Sequence, residues 1–146
     1  EMVLWQGACI VHETFSEKKI AQLRVFHPEA ELIAHPECEE SLLARADFIG
    51  STSALLKYVE TSAKREFIVA TEAGILHQMQ KRAPGKRLIA APPNGHCACN
   101  DCPFMKLNTL EKIEACLRDE APELSMPEEL RVRAAKPLEL MMEWSK

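Results

Sequence analysis

Short apolar runs alternate with amphipathic stretches through the first two-thirds of the chain. Ile20 and Leu23, with Val25 or Phe26, fall on one face of a helix expected over about residues 17–26, capped by Ser16 and ended by Pro28. Glu31-Leu32-Ile33-Ala34 reads as a short strand. Residues 38–46 form a helix carrying Leu42, Leu43 and Ala46, and Phe48-Ile49 a brief strand. Thr52 or Ser53 is expected to cap the next helix, which bears Leu55, Leu56, Tyr58 and Val59. Phe67-Ile68-Val69-Ala70 is continuous rather than alternating, the pattern of a strand buried on both faces. A helix over 73–82 and a strand at Arg87-Leu88-Ile89-Ala90-Ala91 follow. Strands of this length between helices imply βα units and a short parallel sheet, hence an α/β domain over residues 1–91.

After Ala91 the pattern changes. Pro92-Pro93-Asn94-Gly95 opens an irregular loop of about 15 residues, long enough to suggest a function. Asn108 or Thr109 then caps a helix to about Asp119, with Leu110, Ile113 and Leu117 on one face. A last helix begins near Pro127, where proline suits the first turn, and Pro137 should kink or divide it. The start, Glu1-Met2-Val3-Leu4-Trp5, reads like a strand entering a loop, and the chain is expected to be the C-terminal part of something longer.

Composition narrows the function classes. Of 146 residues, 47% are hydrophobic and 27% charged, which is globular usage and excludes a disordered chain. The net charge is -4 and no basic stripe with interleaved aromatics occurs, which argues against nucleic acid as a partner. No apolar run approaches the roughly 20 residues of a membrane-spanning helix.

The six cysteines carry most of the chemical information. Three stand in Cys97-Ala98-Cys99-Asn100-Asp101-Cys102-Pro103, inside the long loop. Its CxxC admits a thioredoxin-like redox site, although such a motif usually opens a helix. Zinc could be held by His96, Cys97, Cys99 and Cys102, in cramped geometry. The third reading is an iron–sulfur ligand at Cys102 assisted from elsewhere in the protein, and the fourth is a loop of inert thiols. Cys9 follows Gly7 and Ala8, small residues that let a bulky group approach, though a lone cysteine is more often a small buried apolar residue. Cys116 lies beside Leu117 on the apolar side of its helix and is expected in the core. Cys38 begins a helix, whose dipole would lower its pKa.

Three successive strands end in polar segments, where α/β sheets place ligands. His35 and Glu37 flank Pro36 and, in extended backbone, share one side, as a general acid–base pair or as a polar loop with a capping glutamate. Gly50-Ser51-Thr52-Ser53 opens a helix, offering N–H groups and hydroxyls to a carboxylate or phosphate, or simply capping it. Ala70-Thr71-Glu72-Ala73 repeats the arrangement.

Taken together, Trp5-Gln6-Gly7-Ala8-Cys9 with His12, His35-Pro36-Glu37-Cys38, Ala46-Asp47, Gly50-Ser51-Thr52-Ser53, Ala70-Thr71-Glu72, Cys99-Asn100-Asp101-Cys102-Pro103 with Met105-Lys106, and Asn108-Thr109-Leu110 resemble the C-terminal part of quinolinate synthase. That resemblance implies three similar α/β domains around a [4Fe–4S] cluster, here one three-layer αβα domain and, over 92–146, a cysteine loop and helices completing an absent N-terminal domain. It implies a cytoplasmic enzyme of NAD biosynthesis that condenses iminoaspartate with dihydroxyacetone phosphate, the cluster acting as a Lewis acid. Cys9 and Cys102 would be cluster ligands, with Cys97 and Cys99 accessory and a Cys99–Cys102 disulfide conceivable. His35, Pro36 and Glu37 would contact substrate, with His35 and Glu37 catalytic and Glu37 a proton shuttle. Thr52 would grip a carboxylate or phosphate, and His12 would stand outside the ligand set. A third ligand cysteine and further substrate residues have no counterpart here, so the chain alone is expected to be inactive. Helices 108–119 and 127–143 should expose apolar surface.

Overall fold

A computed structural model describes residues 3, 7–95 and 100–145. Four strands, β1 (Glu31–Ala34), β2 (Phe48–Ile49), β3 (Glu66–Ala70) and β4 (Arg87–Ala90), form one sheet in the order β2-β1-β3-β4. All three pairings are parallel, with Ile33 opposite Phe48 and Val69, and Val69 opposite Ala90. The three connections carry α3 (Glu40–Leu43), α4 (Thr52–Thr61) and α5 (Ile75–Arg82), and a one-turn α1 (Ile10–Glu13) and α2 (Glu17–Phe26) precede β1.

Strand alternation distributes the core over both sheet faces. Leu32, Ala34, Ile68 and Ala70 pack with Ile20 and Leu23 of α2 and Leu42 of α3. Ile33, Phe67 and Val69 pack with Leu55 and Val59 of α4 and Met79 of α5. The result is the expected three-layer αβα arrangement. Phe67, Leu32, Ile33 and Leu55 are fully buried, which is why β1 and β3 read as unbroken apolar runs.

Local details depart from expectation. Val25 and Phe26 are exposed, because five and six residues after buried Ile20 they fall on the opposite side of α2. The helix expected over 38–46 is only the single turn α3. The residues after it return to the sheet: the Asp47 N–H donates to the Leu32 carbonyl at 2.7 Å, and the Leu32 N–H to Asp47 Oδ2 at 2.8 Å. Ser51, not Thr52 or Ser53, caps α4, its Oγ accepting the Ala54 N–H at 3.3 Å. Ser51→Ala should therefore cost about 1 kcal/mol in urea unfolding, against less than about 0.5 kcal/mol for Thr52→Ala. Equal losses would return the cap to Thr52.

By its contacts the chain divides into two compact units, Glu1–Lys106 and Leu107–Lys146. Described by itself, the second unit holds α6 (Leu110–Asp119), capped by the Thr109 hydroxyl, and α7 (Glu128–Trp144). Pro137 does not divide α7. Its missing N–H leaves the Arg133 carbonyl without a helical donor, and exposure of the helix lets water take that place. Leu110, Ile113 and Leu117 on α6 and Leu138, Met141 and Trp144 on α7 are exposed, as anticipated for these helices. Cys116, expected in the core, is exposed with them. Among the described residues no helix is long and apolar enough to cross a membrane.

Candidate functional site

The strand order places a switch point between β1 and β3, because the chain leaves β1 toward β2 on one side and later returns as β3 on the other. Ligands of open parallel sheets bind at the carboxyl end of such a point. His35 directly follows β1 and Thr71 directly follows β3. The His35 N–H donates to the Ala70 carbonyl at 3.1 Å, extending the ladder by one residue and holding these two segments side by side.

His12 of α1 closes over this edge. It is 7% exposed, and both ring nitrogens are engaged. Nδ1 lies 2.9 Å from Glu37 Oε2 and Nε2 lies 3.2 Å from Thr71 Oγ1. A carboxylate only accepts, so neutral His12 carries its proton on Nδ1 and takes the Thr71 hydroxyl hydrogen at Nε2. The rings of His12 and His35 stack with centroids 4.3 Å apart and planes 7° from parallel. The Glu37 N–H donates to His35 Nδ1 at 3.3 Å, which leaves the proton of neutral His35 on Nε2. Burial, and then the charge of His12, hold the His35 pKa below the usual histidine value against the opposing pull of Glu37. The Glu37 side chain remains 54% exposed, so one carboxylate both touches a buried histidine and meets solvent.

Cys9 is half-buried and stands at the N-cap of α1 without a side-chain capping bond. Its sulfur, one His12 ring nitrogen and one Glu37 oxygen lie within 4.8 Å of one another, a donor set suited to a metal centre. Cys102 is also half-buried with a free thiol, and is not part of that group. Its loop is tied to α1 by Asn100, whose Oδ1 accepts from Thr14 Oγ1 at 3.1 Å and whose Nδ2 donates to the Val11 carbonyl. His96, Cys97 and Cys99, on which the zinc and thiol redox readings and the conceivable disulfide rest, lie outside the described residues, as does Trp5-Gln6.

Cys38 does not behave as a helix-start thiol. It lies before α3, is buried, and donates to the Ala70 carbonyl at 3.4 Å. Burial, with the nearby charges of Glu37, Cys9 and Glu39, pushes its pKa up to about 11 despite a bond to the His35 backbone.

Pro36 bridges His35 and Glu37 in the turn after β1. Thr52 stands apart from this group, after β2, in the first turn of α4 and exposed. Gly50 allows that approach: a Cβ there would lie 2.9 Å from Ala54 Cβ and 3.1 Å from Phe48 Cε1. With Ser51 occupied as the cap, the Thr52 hydroxyl makes no hydrogen bond among the described residues.

His35 and Glu37 stand close together as expected, on a turn rather than in extended backbone, and His12 and Thr71, which the sequence did not join to them, lie beside them. The signal for Thr71 was its place after a buried strand. His12 was marked only by the resemblance and by its nearness to Cys9, because its partners are distant in sequence. Glu72 turns back onto its own loop, accepting the Gly74 N–H at 2.7 Å.

Comparison with known proteins adds a family. The family model described as "Quinolinate synthetase A protein" matches residues 1–143. Proteins named quinolinate synthase from Trichormus variabilis and Nostoc punctiforme are each 61% identical over 145 residues, covering 99% of this chain and 45% of each relative. The Microcystis aeruginosa protein of that name is 61% identical over 145 residues, covering 99% of this chain and 46% of the relative. The chain thus spans a little under half the length of these curated relatives.

Proposed function

The chain belongs to the quinolinate synthetase A family, and from that premise we propose that it carries part of the site of a cytoplasmic enzyme condensing iminoaspartate with dihydroxyacetone phosphate to quinolinate, releasing phosphate and water. The observation that carries this reading is the His12–Glu37–Thr71 network, with His35 stacked on it, at the carboxyl edge of the sheet's switch point.

Each residue has a part that its surroundings support. His35, kept neutral by burial, presents Nε2–H to a substrate carbonyl or carboxylate. Glu37 moves protons between substrate and solvent, since it is both exposed and hydrogen-bonded to His12. His12 and Thr71 hold that carboxylate in place. Pro36 sets the two catalytic side chains on one turn. Thr52, with free hydroxyl and first-turn N–H groups, takes a substrate carboxylate or phosphate.

The described residues fit an iron–sulfur cluster in part. Cys9 and Cys102 are free, half-buried thiols outside the hydrophobic core, and would serve as two of its ligands. Further thiolate would come from the portion of the relatives that this chain does not match. When bound, the cluster supplies a Lewis acid. The exposed apolar faces of α6 and α7 are the surfaces we assign to packing against that same portion, so the chain by itself should be inactive. The test is a chimera that completes this chain with the unmatched portion of the Trichormus variabilis relative, prepared without oxygen. It should form quinolinate from the two substrates, and the chain alone should form none. A folded chimera with bound iron and no product would overturn the reading.

A further inference from the structure

The loop that carries Cys102 is fastened to the segment that follows Cys9 at its start and again two residues before Cys102. At its start, the Ser16 N–H donates to the Pro92 carbonyl at 2.9 Å and the Asn94 N–H to the Thr14 carbonyl at 2.8 Å. Lys19 Nζ reaches over to the Pro93 and Gly95 carbonyls, both at 2.8 Å. Just before Cys102 stands Asn100, 7% exposed. Its Nδ2 donates to the Val11 carbonyl, its Oδ1 accepts from the Thr14 hydroxyl at 3.1 Å, and its own carbonyl accepts the Ala73 N–H at 3.2 Å. One buried side chain therefore joins α1, and one buried backbone carbonyl joins the turn after β3.

From this geometry we infer that Asn100 is a positioning residue that sets Cys102 against Cys9. The inference rests on the reading of those two cysteines as cluster ligands. Cys9 lies two residues before Val11 and Cys102 two residues after Asn100, so each arm from the clamp to a thiol is at most about 7 Å of chain. The chemistry of the clamp asks for asparagine. A planar amide offers a donor and an acceptor side by side. The donor meets Val11, whose carbonyl lies in a helix of one turn. The acceptor meets a hydroxyl. Aspartate would set an oxygen against the Val11 oxygen, and alanine would remove both bonds to the loop, leaving the Thr14 hydroxyl and the Val11 carbonyl only each other, 3.2 Å apart. A cluster built from thiolates distant in sequence needs them held at a fixed separation before iron arrives, and supporting partners of metal ligands typically change affinity by 10–100-fold.

The test measures the separation without iron. In this chain, Cys97, Cys99 and Cys116 are replaced by serine and nitroxide labels are placed on Cys9 and Cys102. Buried Cys38, with its raised pKa, stays unlabelled at neutral pH. Pulsed electron paramagnetic resonance should give one narrow distance distribution. Asn100→Ala and Asn100→Asp should each widen it at least about twofold, while Thr14→Ser, which keeps the hydroxyl, leaves it narrow. A control pair in the α4–α5 layer, Lys57→Cys with Gln78→Cys in a background lacking Cys9 and Cys102, should not change. Widening of both pairs, or of neither, overturns the inference. If alanine prevents folding, the aspartate variant decides. In the chimera, Asn100→Ala should speed loss of iron to a chelator by about 10–100-fold. The ligand reading is tested separately: a full cluster in Cys102→Ser rejects that reading, whereas an unchanged distance in Asn100→Ala rejects the clamp whatever the iron content.

Discussion

Glu37→Gln in the completed enzyme should lower kcat by about 10²–10⁴-fold, the usual contribution of a positioned proton-transfer group. Glutamine retains an oxygen that can accept the His12 Nδ1–H, so the buried network and the stacked rings survive the change. What is lost is the ability to take and release a proton at a side chain that reaches solvent. KM and thermal stability should therefore move little while kcat falls. A variant that lost stability to the same degree as activity would instead make Glu37 a structural anchor for His12. Steady-state kinetics beside a thermal melt separate the two.

Cys9→Ala should abolish cluster binding and with it all measurable quinolinate formation, because the nearby sulfur, Cys38, is buried, donates to the Ala70 carbonyl and has its pKa pushed up to about 11, so it is a poor substitute thiolate. The helix should not suffer, since Cys9 makes no side-chain capping bond there. Cys116→Ala is the matched control. Its thiol is exposed on α6 and is not one of the two proposed ligands, so iron content and activity should be unchanged. Visible absorbance and iron analysis of the anaerobic protein distinguish the two variants.

The strands were legible because β1 and β3 are buried on both faces and must be apolar throughout, as Leu32-Ile33-Ala34 and Phe67-Ile68-Val69-Ala70 are. α2 and α4 were legible from their apolar spacing. α1 was not, since four residues span too little of a helical period to leave a pattern. The extent of α3 was overestimated for a related reason: Leu42 and Leu43 suit a helix, but Asp47 is taken by a tertiary bond to the Leu32 backbone that no local signal announces.

The site divides in the same way. His35 and Glu37 are two residues apart and were visible as a pair. Their link to His12 and Thr71 closes over 25 and 59 residues of sequence, and it needs both the parallel pairing of β1 with β3 and the placement of α1 over that edge. Cys116 shows a third kind of limit. An apolar stripe says that a helix face is suited to burial, not which surface covers it, and on α6 that face is exposed. Cys38 reverses the expectation from helix dipoles because burial is the larger influence on its thiol.

The central claim is that the carboxyl edge between β1 and β3 is where the reaction's small molecules sit, and the chain offers its own control. His27 pairs with Glu66 at 2.7 Å at the opposite, amino end of β3, and His77 is exposed on α5. In the anaerobic chimera, titration with quinolinate followed by nuclear magnetic resonance of assigned histidine rings should shift His12 and His35 in a saturable manner and leave His27 and His77 unmoved. Saturable shifts at His27 or His77 with His12 and His35 unchanged would contradict the account.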